Sequence, residues 1–483
     1  MRSLTRAIGA VFAMLIAGAG CTVGQSPAPA GTRLPDDWVA VTTGPLAQGV
    51  ASGDVTSRSA HIWLRTSGPA QVELEWTPEG RDKEQSRALV FSTSQDRDYA
   101  ATAAVDNLQP ATRYRYAVKA RRTDQRSPRE IIEESGSGVF TTPPADDKSE
   151  PFTFLWSGDL GGQKRCRDEW VGYPIFYRML QVRPAFAILL GDTIYGDDVC
   201  PSPPNAPGSE SAATTLDQLR AKHRYQRGSA ALQRFLASVP VYVIWDDHEV
   251  RNNFSGPHDP LMPVGRQAFL EYWPVGTPAE EPARLHRKFR RGADAEFFIL
   301  DTRQYRDRNT DRDSPAKTML GSAQRDWLLE GLARSTATWK FIVTSVPLSN
   351  PKGGTAQVPG NDSWARTEDG TGFQTELRTI VNAILKGRIR NVVWLAGDVH
   401  YTQVNAYDPN GDGTPDFYEF IAGPLSAVPG KPVPPDPAFK PTTLHSEGGF
   451  YNFGLVTVNK GDLRLEIVDD TGLPRFTRAL KAQ

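Results

Sequence analysis

From residue 152 onward the chain repeats one device: a short apolar run that ends in a turn. The runs are FTFLWSGD, AFAILLGD, VYVIWDDH, EFFILDTR, KFIVTSVP and NVVWLAGD. Each has the length of a buried strand, and longer polar or helical sequence separates them. That alternation marks an α/β core whose helices cover its sheets. Functional groups in such folds collect just beyond the carboxyl ends of strands. Four runs stop there in acidic turns: Ser157-Gly158-Asp159, Gly191-Asp192-Thr193-Ile194-Tyr195, Trp245-Asp246-Asp247-His248-Glu249 and Gly397-Asp398-Val399-His400. A carboxylate is costly inside a fold unless it is paired or bound to a metal. One such turn reads as a strand ending in a solvated aspartate. Four, each closing an apolar strand, point to chemistry that needs converging carboxylates: two adjacent metal ions that share one of them.

At 483 residues the chain exceeds one ordinary core, so two or more domains are expected. A formal net charge of -1 argues against nucleic acid as the main ligand. Residues 1–21 read as a signal peptide: Arg2 and Arg6 precede an apolar stretch, 7–17, too short to span a bilayer, and Ala17-Gly18-Ala19 offers a cleavage site. Cys21 opens a second reading, a lipoprotein signal with a lipid anchor on that cysteine, although Gly18 stands where a larger aliphatic residue is usual. Both readings lead out of the cytoplasm, to the periplasm, to the cell surface or outer membrane as a lipoprotein, or to secretion. Residues 22–40, rich in Pro, Ala and Gly, form a flexible linker. In an oxidising compartment Cys166 and Cys200 can pair and tie two site-bearing loops together; the other reading is two free buried thiols.

Residues 41–142 carry short alternating runs between turn signals, GVASGDVTSRSAHIWLRTSG, QVELEWTPEG and LQPATRYRYAVKARR, and are expected to form a β-sandwich domain. The last run resembles the late strands of fibronectin-type sandwiches, with Tyr114 or Tyr116 as the corner tyrosine. PPADDKSEP follows as a linker, and residues 152–483 form the second domain.

The motif order D…GDxxY…DDHE…GDxH resembles the metallophosphoesterase superfamily, and its tyrosine-bearing form is similar to purple acid phosphatases. More closely, WDDHEVRNN, LDTRQYR, AGDVHYTQ and EFIAGPLSA resemble the PhoD-type alkaline phosphatase and phosphodiesterase family. That resemblance also covers the N-terminal β region and the C-terminal YNFGLVTV and LRLEIVD strands. It implies a four-layer αββα sandwich over 152–483, preceded by the small fibronectin-like β-sandwich. It implies Asp159, Asp192, Tyr195 and His400 around a first ion, with Asp192 bridging, and Asp247 and Asp398 joining Asp192 on a second. A phenolate suits the Fe(3+) known in the family. The ligand set implied for the second ion is all oxygen, which disfavours zinc and suits the family's Ca(2+), or Mg or Mn. Two departures leave points open. Ser157-Gly158-Asp159 stands where iron-dependent members carry a cysteine, so the first ion's identity is open; MRSLTR lacks the adjacent arginines of a twin-arginine signal, so the export route is open too.

His248 is expected to hydrogen-bond the phosphoryl oxygen or protonate the leaving alkoxide, with Glu249 fixing its ring; the alternative is a structural histidine at a strand end. Arg251, Asn252 and Asn253 follow and are candidates for phosphate-oxygen contacts, with a surface salt bridge as the other reading of Arg251. Asp301 and Arg303 are expected to be a structural pair near the site. The stretch 286–291, HRKFRR, reads as a solvated strand face rather than a polyanion site. The implied activity is that of an exported, metal-dependent phosphatase. It would hydrolyse small phosphomonoesters, and phosphodiesters as well, by in-line attack of a metal-bound hydroxide. The alternative is a phosphodiesterase or phospholipase D-like enzyme acting on lipid head groups or polymer phosphodiesters. A non-catalytic surface protein with a structural metal site is the distant rival. The sequence carries no signal for an oligomeric state.

One further motif needs no family. DPNGDGTPDFYE matches a calcium-loop spacing through Asp408, Asn410, Asp412, Gly413, Asp416 and Glu419. Strand-like sequence flanks it instead of helices, so it is either a calcium loop between strands or an Asp/Asn/Gly hairpin turn.

Overall fold

All six apolar runs are strands: Phe152–Ser157, Phe186–Leu190, Val241–Ile244, Ala295–Ile299, Trp339–Val343 and Val392–Ala396. Continuous apolar sequence fits strands covered on both faces, which is how these lie. The computed structural model describes residues 46–80, 85–124, 132–351 and 360–483. The signal segment, Cys21 and the linker over 22–40 lie outside the described residues.

Two sheets form the centre. The first has nine strands, ordered Pro474–Lys481, Asp462–Asp469, Asn452–Asn459, Phe152–Ser157, Phe186–Leu190, Val241–Ile244, Val50–Gly53, Ser59–Arg65 and Ala100–Asp106. The second has seven: Arg287–Arg291, Ala295–Ile299, Trp339–Val343, Val392–Ala396, Phe417–Ile421, Thr402–Tyr407 and Pro441–Glu447. Aromatic rings join them face to face. Phe154 and Phe186 of the first sheet meet Phe297 of the second edge-on, with centroids 5.2 and 5.4 Å apart. Outside the first sheet, helices Ile175–Gln181 and Ala230–Ser238 bury Phe176 and Phe235; outside the second, Gly321–Arg334 and Gln374–Lys386 bury Leu328, Leu332, Leu377 and Ile380. The layering is helix, sheet, sheet, helix, as expected of a four-layer α/β sandwich.

The N-terminal strands do not stand apart from this core. Val50–Gly53 lies parallel to Val241–Ile244 and carries Ser59–Arg65 and Ala100–Asp106 onto the first sheet's edge. A separate four-stranded sheet, ordered Arg87–Thr93, Ala70–Pro78, Arg113–Arg122 and Glu133–Thr141, packs over that extension through Val72, Leu74, Tyr116 and Val118 against Ile62 and Leu64. The β-sandwich therefore shares a sheet with the α/β core. Tyr114 is its corner tyrosine, since its hydroxyl accepts a hydrogen bond from the Gln109 N–H at 2.8 Å.

Three further expectations meet the structure here. Cys166 and Cys200 are joined as a disulfide, with Cα atoms 5.9 Å apart. The HRKFRR stretch supplies an edge strand whose cations are committed: Arg287 pairs with Asp54 at 2.7 Å, Lys288 pairs with Glu296 at 3.0 Å, and Arg291 is buried over the Phe152 and Phe186 rings. The calcium-loop reading is corrected. Residues 408–416 make a hairpin connection in which the Asp408 carboxylate accepts the N–H groups of Gly411, Asp412 and Gly413. Glu419 sits inside the following strand, where it accepts from Leu348 N–H and the Tyr407 hydroxyl at 2.6 Å each, so it cannot close an ion loop.

Candidate metal centre

Three neighbouring strands of the first sheet run parallel and in step, Ser157 beside Leu189 and Leu190 beside Ile244. Their carboxyl ends thus open on one edge. Asp159, Asp192 and Asp246-Asp247 follow directly, and Val392–Ala396 of the second sheet delivers Asp398 and His400 to the same place. The turns that aim these side chains are costly. Asp159, Asp192, Asp398 and His400 all take left-handed φ values, between 49° and 69°, a region that ordinarily costs a non-glycine residue about 1–3 kcal/mol. Gly191 permits the close approach of two of these turns: its φ is 91°, and a Cβ there would lie 2.4 Å from the backbone nitrogen of Asp246. Gly423 does the same for the EFIAGPLSA segment, because a Cβ there would meet Asp159 Oδ2 at 2.5 Å.

Three sets of donor atoms lie within 4.8 Å of one another: Asp159, Asp192 and His400; Asp192, Asp247 and His248; Asp246, Asp247 and Asp398. They form a chain that shares Asp192 and then Asp247. Tyr195 joins the first set, its hydroxyl 2.9 Å from His400 Nε2. The His400 Nδ1–H donates to the Val428 carbonyl at 2.7 Å, which leaves Nε2 as the acceptor facing Tyr195 and Asp159. That is the tautomer a metal-ligating histidine needs. All six residues expected at the two ions are therefore brought together: Asp159, Asp192, Tyr195, Asp247, Asp398 and His400.

The catalytic candidates divide. His248 reaches the centre, stacked on Tyr195 at 4.2 Å between centroids, but Glu249 does not fix its ring. Asp197 holds it instead, Oδ1 lying 2.6 Å from Nδ1, while Asp197 Oδ2 accepts the Asn252 N–H. Glu249 is fully buried behind the site and clamps two turns together. It accepts from the N–H groups of Asp192, Thr193 and Asp246, and burial pushes its carboxyl up to about 7. Arg251 pairs with Asp259 and is half exposed, and Asn252 is exposed; neither side chain enters the carboxylate cluster. Asn253 enters it. Its N–H donates to Asp247 Oδ2 at 2.6 Å, and its amide, in the orientation that satisfies both neighbours, donates to Asp247 and Asp362 at 3.2 Å.

Arg303 corrects the expectation of an Asp301–Arg303 pair. Asp301 Oδ1 accepts from the Trp245 indole at 2.8 Å and from backbone N–H groups. The Arg303 guanidinium, fully buried, points the other way. It bonds Asp246 and Asp362 and lies 3.6 and 3.7 Å from Asp247 and Asp398. Asp246, Asp362 and Asp197 are the site residues that sequence reasoning missed, while Arg303 is expected near the site with a different partner. The doubled aspartate of WDDH, whose first member is Asp246, is a visible signal for that residue; nothing in NDSW marks Asp362.

The donor chemistry fits bound cations. Six buried aspartates, Asp159, Asp192, Asp246, Asp247, Asp362 and Asp398, gather here, and the one guanidinium among them, Arg303, lies within 3.7 Å of four, Asp246, Asp247, Asp362 and Asp398. Burial, then Asp247 and Asp246, push the Asp192 carboxyl well above its usual range; burial, then Asp192 and Asp159, push the Tyr195 phenol well up. Crowded anions of this kind are stable together only with added positive charge.

Comparison with known proteins bears on this geometry. A family model described as PhoD-like phosphatase matches residues 161–460, and one described as PhoD-like phosphatase, N-terminal domain, matches residues 34–144. Alkaline phosphatase D of Bacillus subtilis (strain 168) is 29% identical over 400 residues, covering 74% of this chain. The match spans 64% of that relative's own length. Among solved structures, one of PhoD superposes with a TM-score of 0.71 at 22% identity, covering 91% of this chain and 92% of that one. Purple acid phosphatase PPD1 from yellow lupin (Lupinus luteus) seeds gives a TM-score of 0.62 at 13% identity, covering 90% of this chain and 73% of that one. At these identities the two structures establish the fold.

Proposed function

This chain belongs to the PhoD-like phosphatase family, and from that premise we propose that it is an exported, metal-dependent phosphatase acting on small phosphomonoesters, with phosphodiesters within reach of the same groups. The observation that carries the reading is the chain of three donor sets linked by Asp192 and Asp247. Asp159, Asp192, Tyr195 and His400 would hold one cation; Asp192, Asp247 and Asp398 would hold the second. The phenol of Tyr195 suits ferric iron, and the all-oxygen second set suits calcium, magnesium or manganese. Such ions, when bound, polarise a phosphoryl oxygen and lower the pKa of water.

The remaining work falls to side chains. His248, its Nδ1 held by Asp197 and its ring stacked on Tyr195, directs Nε2 to the substrate. There it hydrogen-bonds a phosphoryl oxygen or gives its proton to the leaving alkoxide. Asn253 and Arg303 fix the rotamers of Asp247 and Asp246, so the carboxylates do not reorganise during the reaction. The Cys166–Cys200 bridge supports an oxidising compartment outside the cytoplasm. No helix among the described residues is long and apolar enough to cross a membrane.

The test is elemental analysis of the purified protein together with rates on 4-nitrophenyl phosphate and bis(4-nitrophenyl) phosphate. Two bound metals per chain and turnover of the monoester are expected. Faster turnover of the diester would move the reading to a phosphodiesterase, and no turnover of either ester with iron and calcium supplied would end it.

A further inference from the structure

Arg251 and Asn252 do not meet the carboxylates, yet they line a cavity of about 370 Å³ that begins where the carboxylates end. Asn253 is common to both, since it bonds Asp247 and also lines the cavity. The far wall carries His258, Arg308 and Asn309. This wall is tied to the centre. The Asn309 amide donates to the Asn253 carbonyl at 2.8 Å, and the Asn252 N–H donates to the same Asp197 that orients His248.

The charge of the cavity is opposite to that of its neighbour. Arg251 is offset one-to-one by Asp259, whereas the exposed Arg308 guanidinium has no partner among the described residues, and His258 is exposed beside it. An uncharged leaving group would gain nothing from this lining. A second anionic oxygen cluster would find Arg308 in place and wall hydrogen bonds already made.

We propose that this cavity is a subsite for a second phosphate of the substrate, so that the enzyme favours phosphoesters whose alcohol portion is itself phosphorylated, as in bisphosphates. The inference rests on the hydrolase reading above for its substrate, and two measurements separate the two claims. The first compares phosphate release from propane-1,3-diol bisphosphate and from the monophosphate. Wild type should favour the bisphosphate in kcat/KM by about tenfold, mostly through KM, as one charge-assisted hydrogen bond predicts. Arg308→Gln should bring the ratio close to one, and Arg308→Lys should restore most of it; because Arg308 is exposed, neither change threatens folding. The second is calorimetric binding of propane-1,3-bisphosphonate against propylphosphonate to the metal-loaded full chain, which needs no turnover. A bisphosphonate preference lost in Arg308→Gln upholds the subsite even if no ester is hydrolysed. Equal selectivity in wild type and Arg308→Gln by either method overturns it, whether or not hydrolysis occurs.

Discussion

The two halves of the carboxylate cluster solve the same problem differently. On the Tyr195 side, Asp159 and Asp192 meet a phenol and an imidazole in place of further carboxylates, and the imidazole is aimed by a backbone carbonyl. On the Arg303 side, Asp246, Asp247, Asp362 and Asp398 crowd together around a permanent internal cation. The first half limits repulsion by using few charges. The second keeps its charges and neutralises part of them with protein. Arg303 thus offsets part of the repulsion among four buried aspartates within the protein itself, whereas the Tyr195 half sets a phenol and an imidazole beside its two carboxylates.

Breaking the residue that both halves share should have the largest effect. Asp192→Asn should lower kcat/KM by about three orders of magnitude and reduce the content of both metals. Loss of one metal only, by elemental analysis, would show that the halves are independent. Arg303→Met comes next. Removing the partner of a buried ion pair costs about 3–5 kcal/mol. Urea unfolding should show that loss in the metal-stripped protein and a smaller one with divalent cations present; equal losses would reduce Arg303 to a packing role. Asp197→Asn, which releases the His248 ring but touches neither cation set, should cut kcat about tenfold with metal content unchanged. The smallest effect should come from the hairpin outside the cluster: Asp412→Ala with Asp416→Ala should shift stability by no more than about 0.5 kcal/mol and leave bound calcium unaltered. A drop in calcium stoichiometry would restore the ion-loop reading.

That hairpin marks how far local pattern can be carried. DPNGDG has the residues of a calcium loop, but its neighbours are strands, and the alternation of strand side chains turns Glu419 inward to Leu348, Asn405 and Tyr407. Glu249 shows the same limit: adjacent to His248 in sequence, it points to the opposite side of the turn, and Asp197 takes the role expected of it. The N-terminal strands add a third case. Their alternation revealed a sandwich, but only pairing with Val241–Ile244 revealed that one layer is the edge of the central sheet.

The sequence by itself determined the strands and the acidic turns that close them, because strand periodicity and Gly-Asp turn chemistry act over a few neighbouring residues; the six metal-ligand candidates came from the resemblance of its motifs to a known family. Only the tertiary structure decided which cation sits among the carboxylates, which aspartate orients His248 and which asparagine touches Asp247. Arg303 and Asp246 are 57 positions apart, and Asp197 and His248 are 51. Contacts at such separations depend on which strands lie side by side in a sheet, for Asp197 and His248, and on how the two sheets pack, for Arg303 and Asp246, and no local pattern encodes that.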